Sequence, residues 1–143
     1  MKLILDNEAL TDDFFEETRI LGIMAPIRSY QFCWYMNTHL GYDFRLNNEI
    51  DKQLRKKNRD YYFSVYQHQE NDFLTFYVFH NHCDGEYLLP EVRHVDFLFL
   101  MKGDYVDDER CNSIVTAIKS IGCVQMVVEL TNETLKHKDH LVF

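Results

Sequence analysis

The stretch Leu88-Leu89-Pro90-Glu91-Val92-Arg93-His94-Val95-Asp96-Phe97-Leu98-Phe99-Leu100-Met101-Lys102-Gly103 decides the fold. From Val95 to Met101 both alternate sets of side chains are mainly apolar: Val95, Phe97, Phe99 and Met101 in one, Leu98 and Leu100 in the other. A half-exposed strand alternates polar with apolar residues. A run that is apolar on both sides predicts a strand inside a sheet, covered on both faces. Pro90 has no N–H to give to a ladder and biases Leu89 towards an extended backbone, so it marks the lead-in and not the strand itself. Asp96 breaks the pattern as an acid on the side of Leu98 and Leu100. A carboxylate there needs partners: backbone N–H groups, or one of Arg19, Arg28, Arg45 and Arg93.

On the N-terminal side, residues 2–5 read as an edge strand or arm, and Thr11-Asp12-Asp13 as the cap of a short helical turn over Phe14 and Phe15. Residues 19–25 predict a strand ended by Pro26, with Gly22 marking a close backbone approach. Ser29 reads as the N-cap of a helix to about Leu40, since Phe32, Cys33, Met36 and Leu40 share one face and Gly41 supplies a stop. Residues 42–50 are a further candidate strand. If that strand joins the sheet beyond the others, the helix before it has several spacings of ~4.8 Å to cross. Residues 60–67 and 73–82, rich in Tyr, Phe and Val, predict a hairpin around Gln69-Glu70-Asn71-Asp72, and Asp84-Gly85 predicts another turn.

Beyond the central stretch, Asp107-Asp108-Glu109 places acids where a helix N-terminus favours them. Cys111, Ile114, Ile118 and Ile121 then recur at helical spacing, and Gly122 ends the run. Val124, Met126, Val128 and Leu130 alternate with polar residues as in a half-exposed strand, and Thr131 reads as the cap of a last short helix. Together these elements predict an α+β fold. It is an antiparallel sheet with two main helices packed on one face, a ferredoxin-like sandwich with an extra β-hairpin, in a single domain over residues 1–143.

Composition narrows the function classes. With 11 Phe and 9 Tyr among 143 residues, aromatic packing carries much of the stability. A formal net charge of −8 argues against non-specific binding to nucleic acid or to an anionic membrane. No apolar run reaches the ~18 residues of a membrane span, and a signal peptide's charged start and apolar block are missing. The expected location is the cytoplasm. There, Cys33, Cys83, Cys111 and Cys123, without a C-x-x-C pair, read as reduced core thiols.

Four groupings carry possible chemistry. His80 and His82 lie two apart on a strand, where two imidazoles can approach one metal ion, with His94 or Glu91 near in sequence. Cys83 falls on the opposite side, no recognised ligand spacing completes the set, and the expectation is no metal and no cofactor. Glu91 and Asp96 are a possible carboxylate pair, but five apart on a regular strand they face opposite ways, so no catalytic residue is assigned. The basic run of residues 52–59, followed by Tyr61, Tyr62, Phe63 and Tyr66, has the chemistry to grip phosphates and stack bases. It reads more simply as a solvated loop or a Lys-protected edge, and nucleic acid is not the expected partner.

Leu89-Pro90-Glu91 with Val95-Asp96-Phe97 resembles the signature of the bacterial IPExxxVDY family, Leu89 standing for the first Ile and Phe97 for the final Tyr. The likeness extends to residues 2–5, 20–23, 102–104 and 141–143. It implies a small soluble bacterial protein and no particular activity. The resulting expectation is a non-enzymatic interaction or regulatory module, with a protein partner or a second copy met on an aromatic-rich sheet surface. The alternatives are a small-ligand domain resembling the ACT type, with its ligand near residues 22–29, and a nucleic-acid binder using residues 52–59. Glu91, Arg93, Asp96, Arg28 and Tyr61 are the candidate contact residues.

Overall fold

The structure, a computed structural model, describes the backbone of residues 2–131 and 134–143 and the side chains of residues 9–131 and 134–143. Its elements in order are α1 (Lys2–Phe15), β1 (Arg19–Met24), α2 (Ser29–Leu40), β2 (Arg45–Leu46), β3 (Lys52–Lys56), β4 (Arg59–Phe63), β5 (Val65–Asn71), β6 (Leu74–His80), β7 (His82–Cys83), β8 (Glu86–Tyr87), β9 (Phe97–Gly103), α3 (Asp108–Lys119) and β10 (Met126–Leu130). Single 3-10 turns lie at Asn48–Ile50, Pro90–Val92 and Lys138–Leu141. Among the described residues no helix is long and apolar enough to cross a membrane.

The sheet is six-stranded, in the order β10-β1-β9-β6-β5-β2, and every neighbouring pair is antiparallel. The run apolar on both sides is β9, third in that order, with Ile23 and His80 flanking Phe97. Phe97, Phe99 and Met101 point to one face, where Leu21, Ile23, Phe76 and Val78 join them under Phe32 and Met36 of α2 and Ile114 and Ile118 of α3. Phe97 stacks on Phe32 with centroids 4.4 Å apart and planes at 10°. Leu98 and Leu100 point to the other face, which Phe14 of α1, Tyr61 and Phe63 of β4, Leu88, Leu89 and Val92 cover together with Leu135 and Leu141 of the tail. An α+β fold with an antiparallel sheet and helices α2 and α3 on one face is therefore present. The opposite face is covered as well, by the β3–β4 hairpin, the end of α1 and two loops.

Several expectations shift for physical reasons. Val95 packs with Leu98 and Leu100, not with Phe97, because the 3-10 turn at Pro90–Val92 keeps it off the strand and β9 begins only at Phe97. Residues 2–5 belong to α1, which continues unbroken to Phe15. Ser29 is the first residue inside α2. Arg28 occupies the cap position without a side-chain cap bond, and the Ser29 hydroxyl meets Tyr66 Oη at 3.0 Å. Gly41 closes α2 with φ of 74°, a left-handed conformation that favours glycine. Asp107 caps α3 through Oδ1, which accepts the Arg110 N–H at 2.8 Å.

Of residues 42–50, only Arg45–Leu46 are strand, at the far edge beside β5. That edge lies four strand spacings, about 19 Å, from β1. The whole connection of residues 25–44 makes that crossing: Ser29, the first residue of α2, already meets Tyr66 of β5, and Phe32 one turn on stacks on Phe97 of β9. The basic run is neither a loop nor an exposed edge of the main sheet. Residues 52–56 and 59–63 form a separate hairpin turned by Lys57 and Asn58, both at positive φ (52° and 61°), as a two-residue turn of this hand requires. Residues 60–67 consequently divide at Ser64 between two sheets. The short helix expected from Thr131 falls partly on residues 132 and 133, outside the described residues.

Candidate functional site

The candidate residues of the central stretch hold this part of the fold together, each in a different place. Asp96 sits where β1 ends and β9 begins. Its Oδ2 accepts the Ala25 N–H at 2.8 Å, while its own N–H goes to Ile23 O at 2.9 Å. None of the four arginines pairs with it: Arg19 bonds Glu129 and Asp108, Arg45 meets Asp43, Arg28 donates to Tyr30 Oη, and Arg93 reaches only Pro90 O at 3.5 Å. The side chain near Asp96 is instead His82, with Nε2 3.1 Å from Oδ1. That approach is off the line of a hydrogen bond, and Nε2 is buried without an aligned partner. The His80 ring lies 5.8 Å from that of His82 and stacks on Phe97. Burial first, and then the neighbouring His82, hold His80 below its ordinary pKa, against the opposing pull of Asp96.

Between the two histidines is a residue that the sequence reading passed over. Asn81 is completely buried, and its amide is a clasp. Oδ1 accepts the Leu89 N–H at 2.7 Å, and Nδ2 donates to Val92 O at 3.2 Å and Val95 O at 3.0 Å. The Asn81 backbone adds bonds to Asp96 O and from Leu88 N–H. A loop dense in Leu and Val has buried peptide groups that no ladder serves, and this one amide serves three of them. The available signal was an uncharged amide inside an otherwise apolar and aromatic strand end.

Glu91 faces away from Asp96 and towards the tail. Its carboxylate accepts the backbone N–H groups of Lys136 and His137, each at 2.6 Å, and lies 3.0 Å from His137 Nδ1. The side chain is 9 % exposed. Burial alone would raise its pKa, but the converging donors outweigh burial and the net shift is downward. Glu91 and Asp96 therefore do not meet on one substrate. Arg93 is exposed and lies over the Tyr87 ring at 5.6 Å.

The basic hairpin is largely neutralised where it stands. Arg55 meets Asp60 at 3.1 Å, Lys56 meets Glu86 at 3.3 Å, and Arg59 meets Asp84 at 2.6 Å. Lys52 turns inward to the Val142 carbonyl, and burial lowers its pKa. Tyr61 is buried beneath Arg59, Phe63 is wholly buried and Tyr66 is half-buried, which leaves Tyr62 as the exposed ring of that set. The aromatic surface expected on the sheet is core, because both faces are covered.

Exposed aromatic rings instead gather on α2. Tyr30 is 55 % exposed and Trp34 59 %, one helical turn apart on the outer side of a helix whose inner side buries Phe32, Cys33 and Met36. With Gln31 and Tyr35 they line an open depression of about 420 Å³. Arg28 stands at its N-terminal end, bonded to Tyr30 Oη at 3.1 Å.

Burial pushes the thiols of Cys33, Cys111 and Cys123 above their ordinary pKa, which keeps them protonated and unreactive at neutral pH. Among the described residues no three His, Cys, Asp or Glu side chains are grouped to hold a metal ion, and His94 is exposed in the loop before β9. No family model matches the chain, and no curated protein matches it.

Proposed function

We propose that this protein is a non-enzymatic interaction module that receives a partner protein on the outer face of α2. The observation that carries the reading is the pair Tyr30 and Trp34, both more than half exposed on a helix that is otherwise well packed. A large aromatic side chain left in water forgoes ~1.5–3 kcal/mol of burial, and Trp, Tyr and Arg are the residues that dominate binding hot spots. All three types stand together here. Charge indicates the partner's chemistry. The chain carries 23 acidic residues, yet none falls between Thr18 and Tyr42, and Arg28 and His39 flank the aromatic pair. An acidic segment with apolar anchors is the complementary partner, since the rest of this −8 surface repels it.

The finer architecture and kinship belong to the same proposal. Taken as first to fourth, β1, β6, β9 and β10 lie in the order 4-1-3-2, with α2 after the first and α3 between the last two. That arrangement supports a ferredoxin-like core extended by β5 and β2. Membership of the IPExxxVDY family is supported by the work the matching residues do: Pro90 opens the 3-10 turn, Glu91 ties down the tail and Asp96 fixes the end of β1. A cytoplasmic setting fits four free thiols.

The test is selection of peptides from a displayed random library on immobilised wild-type protein, followed by titration against variants. The selected peptides are expected to carry Asp or Glu around Leu, Phe or Trp, and to lose at least ten-fold in affinity for Trp34→Ala and for Arg28→Glu. Binders that tolerate both substitutions would reject the α2 face.

A further inference from the structure

An open six-stranded sheet has two edges, and here they are unlike. At one end β2 is two residues long and charged, with Arg45 held 3.1 Å from Asp43. Short, charged edges resist pairing with another chain. At the other end β10 runs for five residues, Met126–Leu130, with four apolar side chains and neither Lys nor Pro. Its one charge, Glu129, is already taken by Arg19 through a two-pronged contact of 2.7 and 2.8 Å. An edge strand turns alternate N–H and C=O groups outward. Among the described residues no backbone–backbone hydrogen bond to Met126–Leu130 is found outside its ladder with β1.

We infer that β10 is a self-association edge, through which two copies of this chain pair antiparallel and join their sheets into one. The strand is self-complementary about Val128. A two-fold axis there sets Met126 against Leu130 and Val127 against Glu129 of the second copy, so no carboxylate opposes another. The two Val128 side chains meet on the axis. Val128 is half-buried against the same core as Leu130, and strand alternation places Met126 beside them, so that apolar layer continues across the junction. A second copy fits this edge better than an unrelated strand, because the Arg19 clamp on Glu129 leaves no unpaired charge to select a different partner. This inference rests on β10 alone and is independent of the α2 face.

Light scattering after size exclusion tests it across a dilution series. Wild-type protein is expected at twice the 17.2 kDa chain mass when concentrated and at the chain mass when dilute. Val128→Lys sets like charges directly opposite each other and is expected to stay monomeric. An equimolar mixture of Val128→Lys and Val128→Glu is expected to regain the dimer. Circular dichroism confirms that each variant is folded. If one is not, amide exchange on wild type decides: the amides of Val127 and Glu129, which alternate with those turned to β1, should slow as concentration rises. A single-chain mass at every concentration, a dimeric Val128→Lys, a mixture that stays monomeric or concentration-independent exchange at those amides would each overturn the inference. Protection of β10 only on adding a different protein would do so too.

Discussion

Replacing Asn81 by Ala isolates the residue that closes the fold over β9. The substitution removes three side-chain hydrogen bonds, to Leu89 N–H, Val92 O and Val95 O. Val92 O keeps the N–H of Val95 at 2.9 Å, which leaves the Leu89 donor and the Val95 acceptor without partners. Water does not reach them in place, since Leu88, Leu89, Val92 and Val95 are all essentially inaccessible. Each orphaned group costs ~1–3 kcal/mol, so the expected loss is about 2–6 kcal/mol, a large share of the ~5–15 kcal/mol that holds a typical domain. At ~2–4 °C per kcal/mol for a chain near this size, the melting temperature should fall by roughly 10 °C. Asn81→Asp keeps an acceptor for Leu89 but aims a carboxylate at two carbonyls, so it should be at least as damaging at neutral pH. Urea unfolding followed by circular dichroism gives both values. A loss below about 1 kcal/mol for Asn81→Ala, with an unchanged denaturant slope, would refute the clasp.

Three further outcomes follow from the geometry. Phe97→Ala empties a fully buried site stacked against Phe32 and should lower stability by ~3–5 kcal/mol; a midpoint within error of wild type would contradict the packing of β9. Gly103→Ala should abolish or severely weaken folding, because φ is 123° and an added Cβ would lie 2.1 Å from the Phe73 carbonyl oxygen, whereas an ordinary melting curve would show that the β6–β9 end closes differently. Acid should destabilise the protein in two stages. His80 has a folded pKa below its ordinary 6.5, so the unfolded chain takes the proton first; stability is complete above 6.5 and declines as pH falls below it towards the folded value. Glu91 is also shifted down, from 4.5, so its contribution is present above 4.5 and is lost as pH drops through its lower folded value. Urea midpoints measured against pH should show both declines, and His80→Phe should remove the first.

What the sequence made legible is what burial dictates locally. β9 was readable because a seven-residue run with apolar side chains on both sides has one home, and α2 and α3 because their apolar residues recur at helical spacing before Gly41 and Gly122. α1 was hidden, since residues 2–5 resemble a strand when read alone and the periodicity of residues 9–15 is weak. The β3–β4 hairpin was hidden by chemistry. Arg55 and Lys56 look like solvent-loving loop residues until their partners Asp60 and Glu86 are brought in by other strands. The turn at Lys57 and Asn58 lacks the glycine that usually betrays such a hairpin. At the candidate sites, Glu91 and Asp96 stood out as acids in an apolar stretch. Their partners, the N–H groups of Ala25, Lys136 and His137, are backbone atoms that no residue type announces. Asn81 was overshadowed by two histidines that suggested metal chemistry. The aromatic pair on α2 was missed because Tyr30 and Trp34 count as hydrophobic in any pattern, and only the packed helix reveals which side faces water.

The reading of α2 as the docking face can be tested directly, because the chain contains a single tryptophan and it lies at the centre of that face. All tryptophan emission therefore reports on Trp34, which is 59 % exposed in the unbound protein. Free protein should emit as a water-exposed indole and be readily quenched by acrylamide. Titration with an acidic, apolar-anchored peptide selected on the wild type should shift the emission to shorter wavelength and shield it from the quencher, in proportion to occupancy. Saturable binding measured by calorimetry, with Trp34 emission and quenching unchanged, would place the docking surface elsewhere on the molecule and contradict the account.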